Sequence, residues 1–301
     1  MALLAYPILL IIYLLSLLPL WILYRVADFA YFVLYTVLKY RVHVTRKNLR
    51  NAFPNKTEKE LLILEKRFYR HLGDVLVETI KSFSISAASL KKRMKVLNPE
   101  FLESFYTQGR SVIATTGHYG NWEWAAMTLS LHYDKFQAMG LYLPLKNKVF
   151  NRAMIRSRSR FGVNLVSVTE ISDVMEKTKN KCCIWGLIVD QSPGRPEKAI
   201  WLNFLQQETP VAPGTEKYSR QYNMVVVYGK ITKIKRGFYT LEYLPVIEQP
   251  SSSAVGEITA KHTSCLEEVI NSDPAYWLWT HKRWKHKRPA GVEMTQTPIQ
   301  A

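Results

Sequence analysis

In the stretch TTGHYGNWEWA, Thr115 to Ala125, His118 follows a short apolar run and Glu123 stands five residues after it. A histidine beside a carboxylate can take a proton from an attacking hydroxyl while the carboxylate fixes the ring tautomer and stabilises the imidazolium. On a continuous helix, positions five apart differ by about 140° in direction, so the two side chains would not face each other. The histidine is therefore expected on a turn, with the helix starting behind it. Gly117 and Gly120 permit the backbone angles of such a turn, Asn121 suits the helix cap, and Glu123 in the first helical turn can reach back to the ring. The chain has no G-x-S-x-G nucleophile elbow, so the nucleophile is expected to be a hydroxyl of the substrate. It also lacks a Rossmann glycine fingerprint, a P-loop and an H-E-x-x-H motif, and its three cysteines form no paired ligand spacing. Neither metal nor cofactor is expected.

The elements around this motif predict an α/β fold. Short apolar runs at Ser111 to Thr115, Phe136 to Leu141, Val163 to Val168, Cys183 to Val189 and Met224 to Tyr228 have the texture of buried strands. Helix-length segments such as Asn121 to His132 and Lys148 to Arg160 lie between them. The alternation predicts a mixed or largely parallel central sheet flanked by helices, and places His118 just beyond a strand's carboxyl end, where open α/β sheets collect ligands. Upstream, Thr57 and Glu60 form a capping-box pattern. Leu64, Phe68, Leu72, Leu76 and Ile80 then recur every four residues as one apolar helix face, and His71 and Glu78 beside it are given structural roles.

The 301 residues carry 41 Lys or Arg against 24 Asp or Glu, a formal charge of +17, which points to an anionic partner: nucleic acid, an anionic membrane or an acidic substrate. The amino terminus favours the membrane. Met1 to Tyr24 contains no charged side chain and is long enough to cross a bilayer core as an uncleaved anchor, kinked at Pro7 and Pro19. Five basic residues and no acid lie between Lys39 and Arg50, so the positive-inside rule puts the body in the cytoplasm. The expected division is an anchor at 1–24, an interfacial basic and aromatic segment at 25–56, a catalytic domain at 57–291 and a tail at 292–301. The run Lys282 to Arg288, with Trp277, Trp279 and Trp284, suits a headgroup interface or a solubilising surface.

These motifs carry a resemblance. The H-x-x-x-x-E pair in HYGNWE resembles the signature of the lysophospholipid acyltransferase superfamily. NLRNAFP from Asn48, PLKN from Pro144, RSRFG from Arg158, DQSPG from Asp190 and WLWTHKRWKHKRP from Trp277 follow in the order of its late lipid A acyltransferase branch, the lauroyl and myristoyl transferases. The resemblance covers residues 1 to about 291. It implies a single-pass protein of the bacterial inner membrane with its catalytic domain facing the cytoplasm. Such a protein moves a fatty acyl chain from acyl carrier protein to a hydroxyl of a lipid A precursor. It makes His118 the general base and Glu123 its partner, gives Arg158 to phosphate binding or oxyanion stabilisation, and puts Asp190 and Gln191 at a strand end lining the site. Gly120 and Asn121 join the substrate-binding set. Leu202 to Thr215 matches the family only in outline.

Other roles are open to some of these residues. Arg152, Arg156 and Arg160 lie near Arg158 and could take its place, and Asp190 could cap a turn with Pro193 and Gly194. A lysophospholipid or aminolipid acceptor would use the same base pair. A basic nucleic-acid binder would explain the charge but not the uncharged amino terminus, so no nucleic-acid partner is expected.

Overall fold

The longest helix opens on the capping box at Thr57: the Glu60 amide donates to the Thr57 hydroxyl, and the Thr57 amide donates back to the Glu60 carboxylate. In this computed structural model, which describes residues 2–295, that helix is α4, Glu58–Lys81. Met1 and the end of the expected tail, residues 296–301, lie outside the described residues. Before α4 come α1 (Ala2–Leu17), α2 (Leu20–Tyr31), a π-helical segment at Phe32–Val37, and α3 (Val42–Ala52). After it follow α5 (Ala87–Arg93), β1 (Met94–Val96), α6 (Pro99–Thr107), β2 (Val112–Thr116), α7 (Trp122–His132), β3 (Gln137–Tyr142) and α8 (Lys148–Arg158). The chain continues through β4 (Asn164–Ser167), α9 (Ile171–Thr178), β5 (Cys183–Ile188), β6 (Ile200–Phe204), β7 (Gln207–Val211), α10 (Gly214–Tyr222), β8 (Val225–Lys235), β9 (Phe238–Ile247) and α11 (Glu257–Ser272).

Seven strands form one sheet in the order β1-β9-β8-β2-β5-β3-β4, parallel at every pairing except the long β8–β9 hairpin. The five expected strands appear as β2, β3, β4, β5 and the start of β8. β6 and β7 make a separate two-stranded hairpin whose turn residues Leu205 and Gln206 both have positive φ, a conformation usually supplied by Asn or Gly. One buried core joins α2, α3 and α4 to the sheet and to Trp277 and Trp279 at the carboxyl end.

Two expectations need correction. The kink expected at Pro19 is a break between α1 and α2, because proline offers no N–H and its ring collides with the preceding turn, whereas Pro7 stays inside α1; the helical run long and apolar enough to cross a bilayer is Leu20–Val37 rather than 1–24. On α4, Leu64 and Phe68 are buried, but Leu76 is 44% exposed. A strict four-residue repeat advances about 40° per step around a helix of 3.6 residues per turn, so the series drifts off the core face. The buried set instead includes Leu61, Tyr69, His71, Asp74, Val75 and Glu78.

Candidate active site

β2 and β5 are adjacent and parallel, with Thr116 opposite Ile188. Two residues past those positions stand His118 and Asp190, so the sheet register itself brings the imidazole and the carboxylate together. Asp190 Oδ1 lies 2.6 Å from His118 Nδ1, and Asp190 Oδ2 accepts from the His118 amide at 2.8 Å and from Trp277 Nε1 at 2.7 Å. The carboxylate is buried and fixes both the ring and the turn that carries it. Gly117 makes the approach possible, since a Cβ there would sit 3.2 Å from Asp190 Oδ2 and 2.6 Å from Leu266. Gly120 closes the turn at φ +58°.

The charges follow from this packing. Burial would raise the Asp190 pKa, but the adjacent imidazole and the donors on its oxygens hold it at about 2. Burial would lower the His118 pKa, and the Asp190 carboxylate outweighs it, so the imidazole is more basic than usual. With Nδ1–H donated to Asp190, Nε2 is the basic nitrogen. It faces the Gln191 amide nitrogen at 3.2 Å, and the ring edge meets Trp122 at 5.1 Å between centroids.

Glu123 does not serve His118 in the way expected. Its carboxylate takes Arg158 Nε at 2.8 Å and Arg158 Nη2 in a bidentate pair. Because α7 starts at Trp122, Glu123 points across to α8 and not back to the ring. Arg158 is thereby singled out from its neighbours: Arg160 donates to Ser82 O, and Arg152 and Arg156 are exposed.

Asn121 and Gly120 also leave the expected substrate-binding set. Asn121 is fully buried, with Oδ1 capping Trp124 N and Nδ2 donating to Glu78 Oε2 at 2.6 Å. The Gly120 carbonyl stands 3.1 Å from His71 Nε2, and its amide donates to Tyr276 O. Both residues build the turn from behind.

A cavity of about 410 Å³ opens beside His118, Glu123, Arg158 and Gln191 and runs between α7 and the sheet. Its inner walls are apolar, among them Ala125, Leu129, Leu165, Leu187 and Leu241. Small residues keep it open on the sheet side: Gly140 and Ala114 flank Gly186 on neighbouring strands. A Cβ on Gly186 would lie 2.8 Å from Leu129 Cδ1, and one on Gly140 3.0 Å from Leu165 Cδ2.

The carboxyl-terminal run proves to be a buttress. Trp277 and Trp279 are buried, and the three indole N–H groups donate inward, to Asp190, to Pro274 O and to Thr209 Oγ1. Arg283 is only 1% exposed and lines a small cleft with Asp190. Burial pushes its pKa down to about 10 against the pull of that carboxylate. Asn48, from the NLRNAFP motif, donates to Trp279 O and His281 O and ties α3 to this run. The headgroup reading of these tryptophans is therefore replaced by a packing role, which their buried indole donors require. Sequence reasoning missed Arg283, since nothing separates it from the exposed Lys282, Lys285 and Lys287. Among the described residues, no group of three His, Cys, Asp or Glu side chains is placed to hold a metal ion.

The arrangement suits removal of a proton from a hydroxyl at the mouth of an apolar slot. Comparison with known proteins identifies the family. Residues 2–286 match the family described as bacterial lipid A biosynthesis acyltransferase. The chain is 24% identical over 265 residues to a lipid A biosynthesis palmitoleoyltransferase of Escherichia coli, covering 84% of this chain and 81% of that one. It is 21% identical over 247 residues to a lipid A biosynthesis acyltransferase of Haemophilus influenzae, with 81% and 78% covered. It is also 21% identical over 257 residues to a lipid A biosynthesis lauroyltransferase of Escherichia coli, with 85% and 82% covered.

Proposed function

The chain belongs to the bacterial lipid A biosynthesis acyltransferase family, and we propose that it transfers a fatty acyl chain from acyl carrier protein to a hydroxyl of a lipid A precursor by direct displacement. As the hydroxyl oxygen attacks the thioester carbonyl, His118 Nε2 takes its proton. The tetrahedral oxyanion collapses, the carbon–sulfur bond breaks, and the proton passes from His118 to the departing thiolate. No acyl-enzyme forms. Asp190 holds the Nδ1–H tautomer and stabilises the imidazolium, while Arg158, oriented by Glu123, places a guanidinium beside the cavity mouth for the oxyanion or a substrate phosphate. Gln191 occupies the position at Nε2 that the acceptor hydroxyl would take.

The observation that carries this reading is the juxtaposition of the His118 and Asp190 pair with the mouth of the apolar cavity. The pair activates a hydroxyl, and the slot receives a hydrocarbon chain. Its depth, set by Gly140 and Gly186, would select the chain length. The catalytic body would sit on the cytoplasmic face of the inner membrane, where acyl carrier protein is available, held there by its apolar amino-terminal helices. We place the catalytic domain at residues 57–291, with α2 and α3 built into its core and residues 292–301 as a tail.

The test uses the purified full-length protein in detergent with acyl-acyl carrier protein and a lipid A precursor, read by mass spectrometry of the lipid. The wild type should add one acyl chain and His118→Ala none. Near-normal transfer by His118→Ala would remove the base from the mechanism. Transfer from the coenzyme A thioester but not from acyl carrier protein would change the donor.

A further inference from the structure

We propose that one buried water stands in the small cleft behind the catalytic pair and joins Arg283 and His262 to Asp190, so that Arg283 acts on His118 through the carboxylate as a positioning residue.

Unpaired polar atoms concentrate at this one place. Among the described residues, seven buried side-chain nitrogen or oxygen atoms have no hydrogen-bond partner, and three of them line the same cleft: Arg283 Nε and Nη1, and Nε2 of His262 on α11. Arg283 is 1% and His262 2% exposed. Such atoms are rare in folded proteins, because each has given up its hydrogen bonds to bulk water, so three around one cleft point to a bound partner. The cleft is otherwise walled largely by apolar side chains such as Phe204, Val211 and Leu266, and Asp190 is its one carboxylate. His118 lines the large apolar cavity and not this cleft, whereas Asp190 lines the cleft and not the cavity. The carboxylate therefore separates the two spaces.

The chain that carries Arg283 is fastened to the residues after β5. Ser192 N donates to His281 Nε2 at 3.1 Å, Ser192 Oγ donates to Arg283 O, and His286 Nε2 donates to Pro193 O at 3.1 Å. With Trp277 Nε1 on Asp190, one strap holds both the carboxylate and the guanidinium.

Size and chemistry select water. The cleft holds about 10 Å³, close to the roughly 10–15 Å³ that a single water needs. A chloride ion is larger and would stand against Asp190, a like charge; a metal cation would stand against the guanidinium. Water offers donors and acceptors at once. It can accept from the guanidinium of Arg283, donate to His262 Nε2 and donate to Asp190, the three bonds usual for a buried water. Asp190 has a site for it. Of about four lone-pair positions on a carboxylate, three are taken, two on Oδ2 and one on Oδ1, which leaves one on Oδ1.

The consequence for His118 is electrostatic. Glu123 on α7 and Arg158 on α8 are engaged with each other. Burial pushes the His281 and His262 pKa values down to about 4, so both rings are neutral, and it raises Tyr228 on β8 and Cys265 on α11, which stay protonated. Arg283, with its pKa pushed down to about 10, keeps its charge at neutral pH and shares Asp190 with the imidazole. A base that takes the acceptor's proton must also release it to the departing thiolate. Asp190 alone would grip the imidazolium, and a second cation on the carboxylate loosens that grip. This last step rests on the acyl-transfer reading; the water itself does not.

The test compares pH profiles of single-turnover transfer by the full-length protein in detergent. Arg283→Met removes the charge at similar length, and Arg283→Lys keeps it. Loss of the cation favours the imidazolium, so His118 stays protonated to higher pH. The acid limb of Arg283→Met should move up by about one pH unit, the low end of what a neighbouring charge does, and Arg283→Lys should return most of that shift. A purely structural arginine would lower the melting temperature and turnover without moving the limb, and that result overturns the positioning role. The second measurement needs no variant: a high-resolution crystal structure of the wild type grown in sodium bromide. One water within about 3.2 Å of Arg283, His262 Nε2 and Asp190 Oδ1, with no anomalous peak in the cleft, supports the proposal. A bromide there, or a guanidinium in direct contact with the carboxylate, refutes it. A wild type that transfers acyl groups while the Arg283→Met limb stays in place sinks this inference alone, and a wild type that holds the water but transfers nothing sinks the acyl-transfer reading alone.

Discussion

Replacing Asp190 by asparagine should disable the site by reversing one tautomer while leaving its shape intact. Asp190 Oδ2 accepts two N–H groups, from the His118 backbone and the Trp277 indole. An asparagine must keep its carbonyl oxygen there, because an amide NH₂ would face two donors. Its NH₂ group is then turned toward His118 Nδ1, which must accept. The ring proton moves to Nε2, and the nitrogen that should take the substrate's proton already carries one.

The size of the loss has two parts. One is the carboxylate's stabilisation of the imidazolium, seen in both partners: Asp190 is held below the ordinary carboxylate value and His118 above the ordinary imidazole value. The wrong tautomer is the other, and the corresponding substitution in a serine protease triad, which carries both losses together, lowers turnover about 10⁴-fold. We therefore expect kcat to fall by roughly 10³–10⁴, with the variant melting close to the wild type and KM little changed. The pH profile gives a second readout. In the wild type, turnover should decline as pH drops through the raised pKa of His118. Without the carboxylate, burial acts unopposed, so the residual activity should have its acid limb at lower pH. The assay is single-turnover transfer from labelled acyl-acyl carrier protein between about pH 5 and 9. An Asp190→Asn enzyme within a few-fold of wild type, beside a Glu123→Gln enzyme lacking activity, would refute this account and restore Glu123 as the histidine's partner.

Three further outcomes follow from the same geometry. Arg158→Lys removes the planar fork that grips Glu123 and should lower kcat by about 10- to 100-fold, since a lysine cannot hold the carboxylate and a developing oxyanion in one plane; unchanged turnover would exclude Arg158 from the reacting groups. Gly186→Val narrows the cavity against Leu129 and should shift donor preference to shorter chains in competition assays, by about fourfold per excluded methylene; an unshifted preference would place the acyl chain elsewhere. Glu78 is buried behind the catalytic turn, and burial raises its pKa to about 7 despite donors from Tyr239 and Tyr24. A carboxyl raised in this way contributes stability below its unfolded value near 4.5 that is lost as pH climbs through 7, about 3 kcal/mol in all. Glu78→Gln should therefore flatten the dependence of melting temperature on pH between 5 and 8, and an equally steep dependence in the variant would assign it to another group.

What the sequence discloses about this site, and what it hides, has a physical division. Local chemistry was legible: the positive φ of Gly120, the Asn121 cap and the Thr57 capping box act within a few residues of themselves and are found as expected, whereas Gly117 serves by the room it leaves for Asp190. The α/β alternation was legible because buried strands and amphipathic helices differ in period. The partner of His118 was not, because Asp190 reaches it only through the register of two strands that are neighbours in the sheet and 72 residues apart in the chain. In the absence of that register, the nearest carboxylate in sequence was the natural choice, reached by placing His118 on a turn ahead of the helix. The buried Arg283 and the inward tryptophans were hidden for a related reason. A run of basic and aromatic residues has the same composition on a membrane surface as it has wrapped behind a site, and only the acceptors it meets, Asp190, Pro274 O and Thr209, distinguish the two. The uncharged amino terminus is the same problem at larger scale. Hydropathy registers how apolar a segment is but not whether one of its faces is already taken, and in α1 the stripe Ala5, Leu9, Ile12 and Ser16 is taken. Its outer face carries Tyr6, Leu10, Tyr13, Leu14 and Leu17, all exposed, so hydropathy and packing describe two sides of one helix.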